Sequence, residues 1–189
     1  MRRHSCDIEL DSEDASFAGF LIVVSALIGV QVVILYLVGR QWICSCGDVQ
    51  LWQHTLDPGH NSQHLSDPYS MLHMVFGMGL LLWLRWIRPG WTAFDQAKVA
   101  ACSSVIWEAV ENIPFIVRRF GAEGTQLHYV GDSILNSVSD TIFVMAGFAL
   151  TSRMPFGLSV AIALALELTV YLLIGDGILI GGRKLLTGM

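Results

Sequence analysis

Residues 17–38, FAGFLIVVSALIGVQVVILYLV, decide the fold class of this chain. The stretch contains no charged residue, and its length matches the roughly 20 apolar residues that a helix needs to cross a bilayer. A secretory signal would have a shorter apolar core and a small-residue cleavage site, and Val38-Gly39-Arg40 is a poor candidate for one. We therefore predict a transmembrane helix that is retained in the mature protein.

The composition extends this prediction to the whole chain. Of the 189 residues, 53% are hydrophobic and 14% are charged, and the mean hydropathy is +0.56. A soluble domain carries roughly 25% charged residues. We predict an all-α polytopic membrane protein with one domain, a bundle of about five transmembrane helices at 17–38, 70–87, 94–117, 132–151 and 156–174. The remaining segments are a polar N-terminal tail (1–16), a long polar loop (39–69) and a C-terminal tail (175–189).

Charge and cysteine content exclude several classes of protein. The net charge is −5 and there is no basic run, so we expect no nucleic-acid partner. Four cysteines are too few for a disulfide scaffold. Nucleotide-binding loops, nucleophile elbows and HExxH motifs are absent from the sequence. Membrane lipid is the expected partner, while a homo-oligomer and an unidentified protein partner remain open.

The distribution of basic residues gives an orientation. If the helices alternate, the face that bears the N-terminus carries Arg2, Arg3, Arg85, Arg88, Lys98 and Arg153. The opposite face carries Arg40, Arg118, Arg119, Arg183 and Lys184. By the positive-inside rule we expect a cytoplasmic N-terminus, with loop 39–69 outside.

Polar residues inside the predicted helices fall in the membrane half next to loop 39–69. At 1.5 Å per residue, Glu108, Asp140 and Glu167 each lie about 10–13 Å from that face. Glu108 and Glu111 share a helix face because they are three residues apart. A carboxylate facing lipid costs at least about 2.5–3.5 kcal/mol, so these groups should line a shared pocket.

This pattern supplies the main candidate site. We predict Glu108, Glu111 and Asp140 as acid/base groups or as ligands of a divalent cation. The residues expected to orient a bound ligand are Asn112, His128, Asp132, Asn136 and Ser139. The competing interpretation is a hydrogen-bonded polar network that only holds the helices together.

A second, weaker metal hypothesis concerns the long loop. Cys44 and Cys46 could be soft metal ligands or a redox pair. Two or three nearby histidines could complete a zinc or copper site, with His64 and His73 favoured over His54 and His60 because they lie closest to the start of the second predicted helix. The alternative is that the two thiols belong to a simple turn and that the histidines are solvated.

Four motifs carry a family resemblance. They are Cys44-Ser45-Cys46-Gly47 with Leu51-Trp52, Asn61-Ser62-Gln63-His64 with Asp67 and Tyr69, Trp107-Glu108-x-x-Glu111-Asn112-x-Pro114, and Gly131-Asp132-Ser133-x-x-Asn136-Ser137-x-Ser139-Asp140. Together they resemble an uncharacterised family of small multi-pass inner-membrane proteins found mainly in alphaproteobacteria. The resemblance covers roughly residues 20–175. It implies a plasma-membrane protein with several spans and implies no activity.

Three functions follow as alternatives. The first is a membrane protein with a carboxylate-lined pocket that binds a cation or acts on a membrane-associated substrate. The second is a small ion or proton transporter subunit, which would need an oligomer and a polar path to the opposite face. The third is a non-catalytic assembly or scaffold protein.

Overall fold

The fold was analysed in a computed structural model. It describes the main chain of residues 2–54, 57, 59–121 and 129–187, with side chains from Phe17 onward. Over these ranges there are seven helices and no strand, which confirms the predicted all-α class. The helices are α1 (Arg2–Leu37), α2 (Pro68–Ile87), α3 (Ala93–Glu111), α4 (Pro114–Phe120), α5 (Ile134–Ser152), α6 (Phe156–Ile174) and α7 (Ile178–Thr187).

Four of these helices contain segments long and apolar enough to cross a membrane. They are Phe17–Leu37 of α1, α2, α5 and α6, and the bent pair of α3 and α4 is a fifth candidate. The described residues thus form a polytopic helical bundle with four candidate spans, or five if the bent pair is one span, consistent with the prediction of about five.

The helix predicted at 94–117 is broken in two. α3 ends at Glu111, and α4 starts at Pro114 with a bend of 78° between them. Proline lacks an N–H and disfavours helical backbone at the residue before it, and Ile113 is extended at φ −72 and ψ 145. The proline therefore separates the two helices, and the chain turns sharply at this point.

Both ends of the chain contain more helix than predicted. α1 begins at Arg2 and so runs through the segment predicted as a polar tail. Near the C-terminus, Gly175 ends α6 in the left-handed conformation at φ 67. α7 then begins at Ile178, whose N–H donates to Glu167 Oε1 at 2.8 Å. This carboxylate satisfies one of the free N–H groups at the start of α7.

Apolar side chains cover the outside of the bundle, and polar side chains fill much of its inside. Ile22, Leu172 and Trp86 are largely exposed, whereas Gln31 and Glu108 are fully buried. Lipid tails are as apolar as leucine, so burying apolar surface does not drive helix association in a bilayer. Close packing and interior hydrogen bonds are left to hold the helices together.

The tightest packing joins α2 to α5. A Cβ atom at Gly77 would overlap the main-chain carbonyl of Val144, and one at Gly147 would overlap that of Met74. Glycine at both crossing points lets the two backbones approach closely, as small residues do in membrane bundles. This approach places the first turns of α2 beside the middle of α5.

The loop between α1 and α2 is anchored to the bundle. Its two arms are joined by hydrogen bonds from Gln53 N to Ser66 O at 2.8 Å and from Leu65 N to Gln50 O at 3.0 Å. The N–H of Ile134 donates to Gln41 O at 2.8 Å, which ties the loop to the start of α5. The loop therefore covers the end of the bundle where the polar residues lie.

Candidate functional site

A cavity of about 360 Å³ lies beneath this loop, between α2, α3, α5 and α7. Most of its wall is apolar. The ionisable side chains that line it are Tyr69, His73, Glu111, Tyr129, Asp132, Asp140, Asp176 and Lys184. An apolar cavity with a few converging polar groups is the usual form of a small-molecule site.

His73 stands at the centre of the polar groups. Its Nδ1 lies 3.3 Å from Glu108 Oε1, and its Nε2 lies 3.7 Å from Asp140 Oδ2. Glu111 is one turn along from Glu108, and His73, Glu108 and Glu111 each offer a ligand atom within 4.8 Å of the others. The arrangement can hold a cation between an imidazole and two carboxylates.

Glu108 is fully buried, and neither of its carboxylate oxygens accepts a hydrogen bond of ordinary geometry from the described residues. Its Oε1 lies 3.3 Å from His73 Nδ1. An ionised carboxylate buried without partners is strongly unfavourable, so this group requires a proton or a cation.

One carboxylate oxygen of Asp140 faces His73, and the other accepts a hydrogen bond from α2. Ser70 Oγ donates to Asp140 Oδ1 at 2.6 Å, and Ser70 also belongs to the capping box at the start of α2. In that box, Asp67 accepts hydrogen bonds from the N–H groups of Tyr69 and Ser70. Burial raises the pKa of Asp67 to about 6. The cap of α2 thereby fixes Asp140 opposite His73.

Asp132 forms the upper rim of the cavity. Asn112 Nδ2 donates to Asp132 Oδ2 at 2.6 Å, and the N–H of Asp132 donates back to Asn112 Oδ1 at 2.9 Å. Tyr129 donates its hydroxyl to Asp132 Oδ1 at 2.8 Å. Burial raises the pKa of Asp132 and, together with this neighbouring carboxyl, raises the pKa of Tyr129 well above its usual value.

The side of the cavity is closed by α7, which the sequence did not predict as part of the site. Lys184 Nζ lies 2.6 Å from Asp176 Oδ2, and Tyr69 donates its hydroxyl to the same oxygen at 3.2 Å. Arg119 of α4 donates to Leu185 O at 3.3 Å. The sequence signal for this part of the site was the presence of Asp176 and Lys184 in a mostly apolar C-terminal segment.

The other predicted binding residues have supporting positions. Asn112 is buried behind Asp132, and Asn136 donates its amide to His64 O at 3.0 Å. Ser139 is buried but is not among the residues that line the cavity. His128 lies outside the described residues.

The second predicted metal set is divided between two places. His73 belongs with Glu108 and Glu111 to one group, called the intramembrane cluster below. The loop cluster, by contrast, consists of Cys44, Cys46, His60 and His64. His60 was among the loop histidines that the sequence offered, but the sequence favoured His64 and His73, although a spacing of four residues relates His60 to His64. Glu167 of α6 was predicted to share the pocket with Glu108. Its carboxylate contacts the first residue of α7 and is not part of the intramembrane cluster.

Comparison with known proteins gives the family. The model of the family described as "Protein of unknown function (DUF2585)" matches residues 35–186. The chain belongs to this family. The DUF2585 match includes all the residues of the cavity and of the loop cluster named above.

Several relatives carry the name UPF0314 protein. One from Rhizobium meliloti (strain 1021) is 36% identical over 89% of this chain and 85% of its own length. One from Sphingopyxis alaskensis is 39% identical over 83% and 84%, and one from Paracoccus denitrificans is 35% identical over 90% and 86%. No solved structure matches the chain. The family carries no stated activity, so function has to be argued from the geometry of the site.

Proposed function

We propose that this integral membrane protein binds a divalent cation at His73, Glu108 and Glu111 and uses it to hold the polar group of a membrane-associated ligand. The observation that carries the proposal is the carboxylate of Glu108, fully buried and without hydrogen bonds of ordinary geometry, 3.3 Å from an imidazole. A shared cation would neutralise Glu108 and Glu111 and use the lone pair of His73.

The donor atoms favour a particular class of metal. One imidazole nitrogen with carboxylate oxygens suits ions such as Mn²⁺, Fe²⁺ or Zn²⁺ better than soft ions that select thiolates. With Nδ1 of His73 as ligand, Nε2 carries the proton and faces Asp140 at 3.7 Å. A carboxylate on the second ring nitrogen commonly orients a ligating histidine.

The shape of the cavity favours an amphiphilic ligand. A neighbouring groove of about 300 Å³ runs along α2 and is lined by Val75, Phe76, Gly79, Leu80, Trp83 and Ile178. Phe76 and Ile178 belong to both spaces, so an apolar chain in the groove would place its head near His73 and Glu111. Lipids and lipid-linked compounds have this chemistry.

The proposed location is the plasma membrane, with a cytoplasmic N-terminus and the 39–69 loop outside. The support is the six basic residues on the N-terminal face against five on the other, together with the four candidate spans, which become five when α3 and α4 are counted as one span. An odd number of spans puts the two termini on opposite sides. Reporter fusions at each end should therefore give opposite results, with the N-terminal reporter cytoplasmic.

Metal content tests the cation site. We would purify the chain in detergent in a Cys44→Ser/Cys46→Ser background, which removes the soft ligands of the loop. This protein should hold one equivalent of divalent metal, and adding Glu108→Gln or His73→Gln should remove it. Glu167→Gln is the matched control, since Glu167 is an intramembrane carboxylate outside the cluster.

Two results would contradict the proposal. The first is a folded background protein that stays metal-free after incubation with Mn²⁺, Fe²⁺ and Zn²⁺. The second is metal retained in the folded Glu108→Gln and His73→Gln variants. Either result would mean that the polar network only holds the helices together.

A further inference from the structure

The long loop contains a second group of metal-ligand side chains, separate from the cavity. Cys44, Cys46, His60 and His64 each offer a ligand atom, and all four atoms lie within 4.8 Å of one another. None of the four lines the cavity. The set consists of two sulfurs and two nitrogens on one short segment, with Cys-x-Cys and His-x-x-x-His spacing.

We infer that Cys44, Cys46, His60 and His64 form a structural zinc site in the dithiol state of the loop. Two thiolates and two imidazoles around a tetrahedral ion are a common zinc ligand set, and four protein ligands leave no open position. The site would therefore stabilise the loop rather than carry out chemistry.

Once the two sulfurs are separated by reduction, the distances that involve the histidine nitrogens come close to those around one small ion. Bond lengths of about 2.3 Å to sulfur and 2.0–2.1 Å to nitrogen place tetrahedral ligands about 3.3–3.8 Å apart. Cys44 Sγ lies 3.7 Å from His60 Nδ1. His60 Nδ1 lies 2.9 Å from His64 Nε2, so the two rings need to separate by a few tenths of an ångström.

The main chain around the cysteines is arranged to stabilise sulfur anions. The N–H of Cys46 donates to Cys44 Sγ at 3.2 Å, and the N–H of Asp48 donates to Cys46 Sγ at 3.4 Å. Gly47 makes the turn between these donors at φ 83, a conformation that favours glycine. Hydrogen bonds from N–H groups to thiolates are charge-assisted and tune metal sites in the same way as other outer partners.

The histidine half of the site is also held in place. Asn136 of α5 donates its amide to the main-chain carbonyl of His64, and Leu65 N donates to Gln50 O. Between the two histidines lie Asn61 and Ser62, which line the cavity. Zinc at this site would fix the turn that forms part of the cavity wall.

The structure joins Cys44 and Cys46 as a disulfide, so zinc binding requires reduction first. A phosphine reductant and one water convert the disulfide into two thiols and a phosphine oxide. Zinc then replaces two thiol protons, which are released. The disulfide and the zinc dithiolate are thus two states of the same pair of residues.

Cobalt substitution tests the inference without interference from the intramembrane cluster. The full chain is reduced in detergent with a phosphine, freed of metal and titrated with Co²⁺. Co²⁺ should produce the near-ultraviolet charge-transfer band of thiolate-bound metal, with an amplitude at saturation that corresponds to one thiolate-bound Co²⁺ per chain, and Zn²⁺ should abolish it. The intramembrane cluster has no thiolate, so it cannot give this band whether or not it binds metal.

Variants assign the ligands. The Cys44→Ser/Cys46→Ser protein should lose the band completely, and His60→Gln/His64→Gln should weaken Co²⁺ binding at least 100-fold. His54→Gln is the matched control, an exposed loop histidine outside the cluster that should change nothing. A reduced wild-type protein with free thiols and no band, or a band unchanged in His60→Gln/His64→Gln, would overturn the inference.

Discussion

Asp140 faces the imidazole of His73, with Oδ2 of the aspartate 3.7 Å from Nε2 of the histidine. The opposite ring nitrogen points at Glu108. The two carboxylates therefore differ in the role that we propose for them. Glu108 would touch the cation, whereas Asp140 would position the histidine that ligates it.

This difference gives the first prediction. Asp140→Asn should weaken the affinity of the intramembrane site about 10- to 100-fold, because outer partners of a ligating histidine act on this scale. Metal should still reach one equivalent at saturation, unlike in Glu108→Gln. Competition with a chelator, in the background without loop cysteines, measures both quantities. Equal losses of stoichiometry in the two variants would show that Asp140 is itself a ligand.

Asn112 supports the second prediction, which concerns stability. Its amide donates to Asp132 Oδ2 and to Glu108 O, and it accepts from the N–H of Asp132. Asn112→Ala removes three buried hydrogen bonds and leaves the N–H of Asp132 without its acceptor, and an unsatisfied buried group costs about 1–3 kcal/mol. Unfolding in mixed micelles should show a loss of at least about 2 kcal/mol.

The control for Asn112→Ala is Ser152→Ala. Ser152 is exposed and donates only to Ala149 O in its own helix, so its removal should change the free energy of unfolding by less than about 0.5 kcal/mol. If both variants unfold alike, the Asn112 network does not hold the rim of the cavity.

The crossing of α2 and α5 gives the third prediction. Gly77→Ala should destabilise the bundle by about 1–3 kcal/mol, because the added methyl overlaps the carbonyl of Val144 and the helices must separate. Gly79→Ala, two residues further along α2, meets nothing within 4 Å and should be neutral or slightly stabilising. The same unfolding assay compares them, and equal effects would mean that the crossing is not tightly packed.

Most of the interior of the site could be inferred from helix periodicity and depth. Glu108 and Glu111 share a face because of their spacing, and Asp140 reaches the same depth on another helix, so their proximity was predictable. These carboxylates are expected to face one another because an unpaired carboxylate that faces hydrocarbon is strongly unfavourable. The family resemblance is confirmed by the match over residues 35–186.

What the sequence left out depends on contacts between distant segments. The contact of His73 with Asp140 joins α2 to α5, whose backbones approach closely at Gly77 and Gly147, and α3 packs on α5 so that Glu108 reaches the same histidine. The helix α7 beside the cavity is fixed by a carboxylate eleven residues earlier, at Glu167. Neither contact leaves a periodic pattern in the sequence, because each forms only when separate segments pack together.

The last prediction is a dependence of stability on pH that comes from Asp67. Burial raises its pKa to about 6, from an ordinary value of 3.8, although three main-chain N–H groups donate to it. The folded state therefore holds more protons than the unfolded state between these values. The contribution of Asp67 is fully present below pH 3.8 and is lost as the pH rises through about 6, which amounts to roughly 3 kcal/mol.

Asp67→Asn tests this dependence because the amide cannot titrate. The free energy of unfolding of the wild type, minus that of the variant, should fall between pH 4 and pH 6.5 and then level off. The difference removes the contributions of carboxyl groups that do not interact with Asp67. Parallel curves would mean that Asp67 has the same pKa in the folded and unfolded chain, and hence that its three hydrogen bonds offset its burial completely.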